Sequence, residues 1–134
     1  MGKTISIVNE KGGCAKTTTA YSLAQGLFMV GYKVLGVDMD SQGNFSTTWG
    51  SDPDCIGIYD VLAKNEPVRD AIQVKPDRFD LISGDKLLRD FAARTSYDTN
   101  FMLHDVLAEV EDEYDFIIID TPPTVATLTT NAMM

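Results

Sequence analysis

Val8-Asn9-Glu10-Lys11-Gly12-Gly13-Cys14-Ala15-Lys16-Thr17-Thr18 is the stretch on which the reading of this chain turns. Before it, Ile5, Ile7 and Val8 form a short apolar run with the β-branched content and length of a buried strand. After it, Ala20, Leu23, Ala24, Leu27 and Phe28 recur at helical spacing. A strand, a glycine turn, Lys-Thr and a helix together make a loop suited to phosphate. Gly12 and Gly13 permit close backbone approach and φ > 0, and successive N–H groups of the loop and of the helix start then face an anion. In such a loop Lys16 reaches β- and γ-phosphates and the Thr17 hydroxyl ligates Mg²⁺.

The strict P-loop spacing is not met, because its two fixed glycines fall on Glu10 and Ala15. Lys11, directly before the glycine pair, gives the string KGGCAKTT. That string resembles the deviant phosphate loop KGGxxK[ST] of the ParA/MinD superfamily of P-loop ATPases. There the position of Glu10 is often not glycine, whereas that of Ala15 usually is. If the loop needs φ > 0 at residue 15, alanine costs roughly 1 kcal/mol or somewhat more.

Further along, Gly31 reads as a C-cap and Lys33 to Asp38 as a second buried strand, which implies a right-handed βαβ unit and a parallel sheet. This strand runs into Asp38-Met39-Asp40-Ser41-Gln42-Gly43-Asn44, at the sheet end where ligands bind. The acids there suit an Mg²⁺ shell or an attacking water, and the residues equally suit an Asx-rich turn bent at Gly43. DMDSQGN resembles the DxDPQGN segment of ParA/Soj partition ATPases, with Ser41 in place of the usual proline. Near the end, Phe116 to Ile119 reads as a central parallel strand buried on both faces, with Asp120 at its carboxyl end as in a Walker B arrangement. The adjoining DTPP resembles the switch turn of the same superfamily.

Between these motifs the signals are weaker. Ile58 to Ala63 predicts a short helix, and Pro67 and Pro76 punctuate the stretch after it. Phe79 to Ser83 predicts a third strand ended by Gly84. Asp85 to Arg94 predicts a helix with Leu87, Leu88 and Phe91 on one face, and Leu103, Val106, Leu107 and Val110 mark another with a mostly acidic opposite face. His104 beside that stripe reads as a surface or boundary residue. Thr124 to Met134 resembles the start of the helix after Walker B.

Bulk properties set the limits. A length of 134 residues, with 44% hydrophobic and 23% charged content, fits one soluble domain with a proper core. A formal net charge of −9 argues against strong binding of nucleic acid or anionic membranes, though not against a nucleotide held by backbone N–H groups and a lysine. Cys14 and Cys55 match neither a metal spacing nor a disulfide framework and read as small, reduced, partly buried residues. No leader or membrane-length apolar run is visible, and the expected location is cytoplasmic.

The expected fold is α/β, a three-layer α/β/α P-loop NTPase fold with a mostly parallel sheet, truncated on its C-terminal side. Residues 1–134 are read as a single domain that forms the N-terminal portion of the family fold. The resemblance implies ATP or ADP and Mg²⁺ as ligands. Lys11, Gly12, Gly13, Cys14, Ala15, Lys16, Thr17 and Thr18 would hold the nucleotide, with Thr17, Asp38, Asp40 and Asp120 at the metal. Lys11, Lys16 and Asp40 would serve catalysis, with Lys11 reaching a partner's nucleotide across a homodimer and Asp40 positioning water. It also implies a ParB-type partner, with non-specific DNA binding only in the full-length family protein. An alternative of another class is a non-hydrolysing module that binds nucleotide weakly or pairs with a full-length ATPase.

Overall fold

A computed structural model describes residues 3–7, 13–94 and 99–121, and the side chains of residues 6, 7, 13–18, 92–94, 99 and 100 are not among the described features. Strand β1 (Lys3–Ile7) is followed by helix α1 (Gly13–Met29), β2 (Val34–Asp38) and α2 (Asn44–Trp49). Next come α3 (Ile58–Lys64), α4 (Val68–Ala71), β3 (Ile72–Lys75) and β4 (Arg78–Ile82). The chain continues through α5 (Leu87–Arg94), α6 (Thr99–Leu107), a 3-10 turn at Glu111–Glu113 and β5 (Phe116–Asp120). The sheet order is β1-β5-β2-β4-β3, parallel throughout except for the antiparallel β3 edge.

Alternation along the central strands builds two cores. On β2 and β5, Leu35, Val37, Ile117 and Ile119 face one side and pack with Ile58, Val61, Leu62, Leu103 and Leu107 of α3 and α6. Val34 and Ile118 face the other side with Ala20 and Ala24 of α1 and with Phe45, Trp49 and Phe79. Because both faces are covered, these strands are apolar without interruption, as the run Phe116 to Ile119 predicts. The result is the expected three-layer α/β/α arrangement. The single acid within β4, Asp80, is accommodated because Tyr114 Oη donates to its Oδ2 at 2.7 Å.

Helix α1 ends as Gly31 predicts. Gly31 has φ 106°, its N–H donates to Phe28 O at 3.0 Å, and Tyr32 N–H donates to Leu27 O at 3.1 Å. This paired arrangement is a Schellman motif, with glycine at the left-handed position.

The sequence reading missed α2 and β3. Residues 72–75 and 78–82 form a hairpin around Pro76-Asp77, so the segment at Phe79 is the fourth strand in chain order and not the third. Pairing slips by one residue between Gln73↔Leu81 and Lys75↔Arg78, and Trp49 Nε1 donates to the Phe79 carbonyl in that gap at 2.7 Å. Lys75 Nζ lies 4.5 Å from the centre of the Trp49 ring and donates to Gly50 O at 2.8 Å, and Arg78 Nη1 donates to Trp49 O at 2.8 Å. The hairpin thus places cationic donors on the carboxyl end of α2, where carbonyls lack helical partners.

Three smaller expectations are corrected. Leu87 is exposed, because the face of α5 that meets the core carries Leu88, with the half-buried Phe91 against it. Val110 is buried but lies beyond the end of α6, in the turn after it. Cys55 is exposed and not partly buried, because it sits in the loop before α3. His104 is at the boundary, as expected. Residues 124–134 lie outside the described residues.

Gly36 of β2 faces Phe45 and Phe79, whose rings stack 5.7 Å apart. A Cβ at residue 36 would stand 2.7 Å from Phe79 Cε2 and 3.0 Å from Phe45 Cζ. Gly36→Ala should therefore destabilise the fold by about 1–3 kcal/mol through overpacking. A urea denaturation midpoint equal to wild type would contradict that packing.

Candidate functional site

Parallel pairing brings the motif residues to one end of the sheet. Asp38 and Asp120 are the last residues of β2 and β5 and are direct register partners, while Ile7 at the end of β1 pairs with Asp120 from the other side. A short connection after Ile7, α1 begins at Gly13. The N-terminal end of a 17-residue helix thus starts close in sequence to the strand end that pairs with the buried Asp120. Gly13 through Thr18 form the opening turns of α1, so Ala15 has a helical backbone and the cost foreseen for φ > 0 does not arise. Lys11 and Gly12 lie outside the described residues.

The segment 38–44 turns in the way its Asx-rich composition allows. Asp38 Oδ1 accepts from Asp40 N at 3.0 Å, Asp40 Oδ1 accepts from Gln42 N at 3.0 Å, and Gly43, at φ 69°, donates its N–H to Asp40 O at 3.0 Å. Met39 N donates to Asp120 O at 2.9 Å, which carries the β2–β5 pairing one step past the strand end. Asp38 Oδ2 accepts two more bonds, from Ser46 N at 3.0 Å and Ser46 Oγ at 2.6 Å. Asp38, Asp40 and Asp120 are all buried, and so is Thr121. The carboxylates serve the turn and the sheet end at once.

Burial pushes the Asp38 carboxyl up to about 7, the bonds from Ser46 and Asp40 oppose that rise, and the neighbouring Asp120 charge adds to it. A cation placed between these strand ends would relieve that repulsion, so the donor chemistry fits Mg²⁺ held through water. Among the described residues, no group of three or more His, Cys, Asp or Glu side chains is arranged to hold a metal by itself. Of the residues expected at the metal, the structure pairs Asp38 with Asp120 in register and ties Asp40 to Asp38 through its backbone N–H. Thr17 contributes only its backbone position in α1.

Sequence reasoning overlooked Ser46 and read Gly84 only as the end of a strand. Gly84 N, just past β4, donates to Ser46 Oγ at 2.9 Å. A serine in an unforeseen six-residue helix carries no periodic signal. Its only clue is its nearness to the DMDSQGN segment. Beside this junction lies a polar cleft of about 290 Å³, walled by Ser41, Gly43, Thr47, Gly57, Ser83 and Lys86 among others.

A mostly parallel sheet in an α/β/α arrangement, with acids ending adjacent central strands and Gly13, Lys16 and Thr17 of the glycine-lysine segment opening the first helix, defines a P-loop nucleotide-binding fold. A family profile described as an AAA domain matches residues 2–134. The chromosome-partitioning ATPase Soj of Treponema pallidum is 39% identical over 99% of this chain and 53% of its own length. A plasmid partition protein from Borrelia burgdorferi bound to AMPPNP superposes with TM-score 0.82 at 30% identity, over 98% of this chain and 58% of that one. A cobyrinic acid a,c-diamide synthase from Mycobacterium smegmatis with bound ADP and magnesium gives TM-score 0.87 at 31% identity, over 98% and 56% of the respective chains. The chain belongs to the AAA domain family and, within it, to the ParA/Soj partition type. It spans about half the length of the curated relatives it matches.

The raised Asp38 value has a sign. Between the unfolded carboxylate range near pH 4 and about pH 7, the folded state holds a proton that the unfolded state has lost. Through this group, stability therefore falls as pH rises across that window and levels off above it. Asp38→Asn should remove this group's pH-dependent contribution and so flatten the decline. Denaturant titrations at about pH 4.5 to 8 with parallel slopes for both proteins would contradict a buried, proton-holding Asp38.

Proposed function

We propose that this chain is the nucleotide-binding portion of a ParA/Soj-type ATPase of plasmid or chromosome partitioning, taking Mg-ATP and hydrolysing it to ADP and phosphate. The observation that carries this reading is the register pairing of Asp38 with Asp120 beside the end of β1, with Gly13 to Thr18 of the KGGCAKTT segment opening α1. Residues 1–134 act as one domain. Backbone N–H groups from Gly12, Gly13, Cys14 and Ala15 receive the phosphates, and Lys16 neutralises charge between the β and γ positions. Thr18 lies near the α-phosphate. Lys11 crosses to the nucleotide of a partner chain. Thr17, Asp38 and Asp120 would hold Mg²⁺, which would supply charge compensation to the phosphates. Asp40, fixed by the Asp38 and Gln42 bonds, orients the attacking water.

In this reading the working form is a homodimer in the cytoplasm with a ParB-type partner, and DNA is held only by the full-length family protein. No helix among the described residues is long and apolar enough to cross a membrane. A second reading is a non-hydrolysing module that binds nucleotide or pairs with a full-length ATPase.

Two variants separate these readings. Lys16→Ala should abolish binding of a fluorescent ATP analogue, and equal affinity in both proteins would remove the loop assignment. Asp40→Ala should keep that affinity within about threefold while phosphate release stops. Wild-type binding without phosphate release favours the non-hydrolysing module. Sedimentation should show a dimer with Mg-ATP at tens of micromolar, whereas a monomer under those conditions argues against the shared site.

A further inference from the structure

Ser46 stands where three separate segments meet, and no motif in the sequence assigns it a role. It is 5% exposed, in the first turn of α2, where a serine is a mediocre helix former. A hydroxyl has one proton to give and two lone pairs to receive. Its proton goes to Asp38 Oδ2 at 2.6 Å, and it receives the Gly84 N–H at 2.9 Å. Its own N–H adds a second bond to the same carboxylate oxygen at 3.0 Å. With Oδ2 fixed in this way, Oδ1 is aimed at the Asp40 N–H.

The opposing loop leaves no slack. A Cβ at Gly84 would lie 2.8 Å from Asp38 O, 3.0 Å from Asp38 Cγ and 3.0 Å from Asp40 O, so the start of the β4–α5 loop packs directly on the 38–40 segment. One residue earlier, Ser83 O accepts from Ile58 N at 2.9 Å, and a Cβ at Gly57 would stand 2.6 Å from that same oxygen. The chain of contacts therefore runs from Asp40 through Asp38 and Ser46 to Gly84, and on to the start of α3 across the polar cleft.

We propose that Ser46 is a positioning residue, which sets the Asp38 carboxylate so that it orders Asp40 and locks that segment to the β4–α5 loop. This rests on the proposed role of Asp40 in hydrolysis but is tested apart from it. Ser46→Ala removes both hydroxyl bonds with little change in volume, and Ser46→Thr restores the hydroxyl. Amide hydrogen exchange on the full 134-residue chain, without ligand, reads the coupling directly. In Ser46→Ala, exchange at both Gly84 and Asp40 should rise about tenfold or more, while Ile118 in the central ladder keeps its wild-type rate. In Ser46→Thr, both amides should stay within about threefold of wild type. A change at Gly84 alone, at neither amide, or uniformly across the ladder would each overturn the proposal. In Mg-ATP turnover, Ser46→Ala should lower kcat about tenfold with KM within about twofold, and Ser46→Thr should recover it. A wild-type chain without turnover would defeat the proposed hydrolysis, while the exchange result would still decide the role of Ser46.

Discussion

Two carboxylates buried side by side at the ends of paired parallel strands are the constraint around which this chain is built. Asp38 and Asp120 sit in register on β2 and β5, both fully buried, where like charges in a poorly solvated place are costly. The local structure answers that cost with donors. Asp38 gathers the Asp40 N–H, the Ser46 N–H and the Ser46 hydroxyl. Those bonds are what bend the chain after β2 and start α2. A globular fold has no packing reason to put two acids there. The proposed site for Mg²⁺ and phosphate would give it one.

The scaffold makes that arrangement rigid from two directions. On one face, α1 packs over β2, β4 and β5 through Ala20 and Ala24, small enough to bring the helix close to the sheet. On the same side α2 is fixed at both ends, by Asp38 at its first turn and by Lys75 and Arg78 at its last carbonyls. The β3–β4 hairpin, far from the motif residues in sequence, thereby becomes part of what keeps the Asp40 segment in place. Ring packing among Tyr21, Phe45 and Phe79 fills the space between α1, α2 and the sheet.

Much of this is legible in the sequence, because the strongest signals are local. The run Phe116 to Ile119, flanked by an acid, reads as a doubly covered strand, and the structure puts β5 between β1 and β2. Gly31 ends α1 where its freedom at positive φ is needed. What escapes is non-local. The β3 strand carries only Ile72 and Val74 as strong strand formers, and Val74 is exposed, so no alternation announces it. Pro76-Asp77 lacks the Asn-Gly or Asp-Gly pair that marks a tight hairpin. Ser46 and Gly84 matter through a contact across 38 residues of sequence, which no spacing rule reveals. The strain expected at Ala15 is absent because the helix begins earlier than the loop pattern suggests.

The most direct test is a calorimetric titration of ATP into the wild-type chain, once with Mg²⁺ and once with the metal chelated by EDTA. Paired carboxylates at the strand ends predict saturable binding with Mg²⁺ that weakens about tenfold or more without it. No binding by a folded sample, or the same affinity in both buffers, would contradict a site built on Asp38 and Asp120.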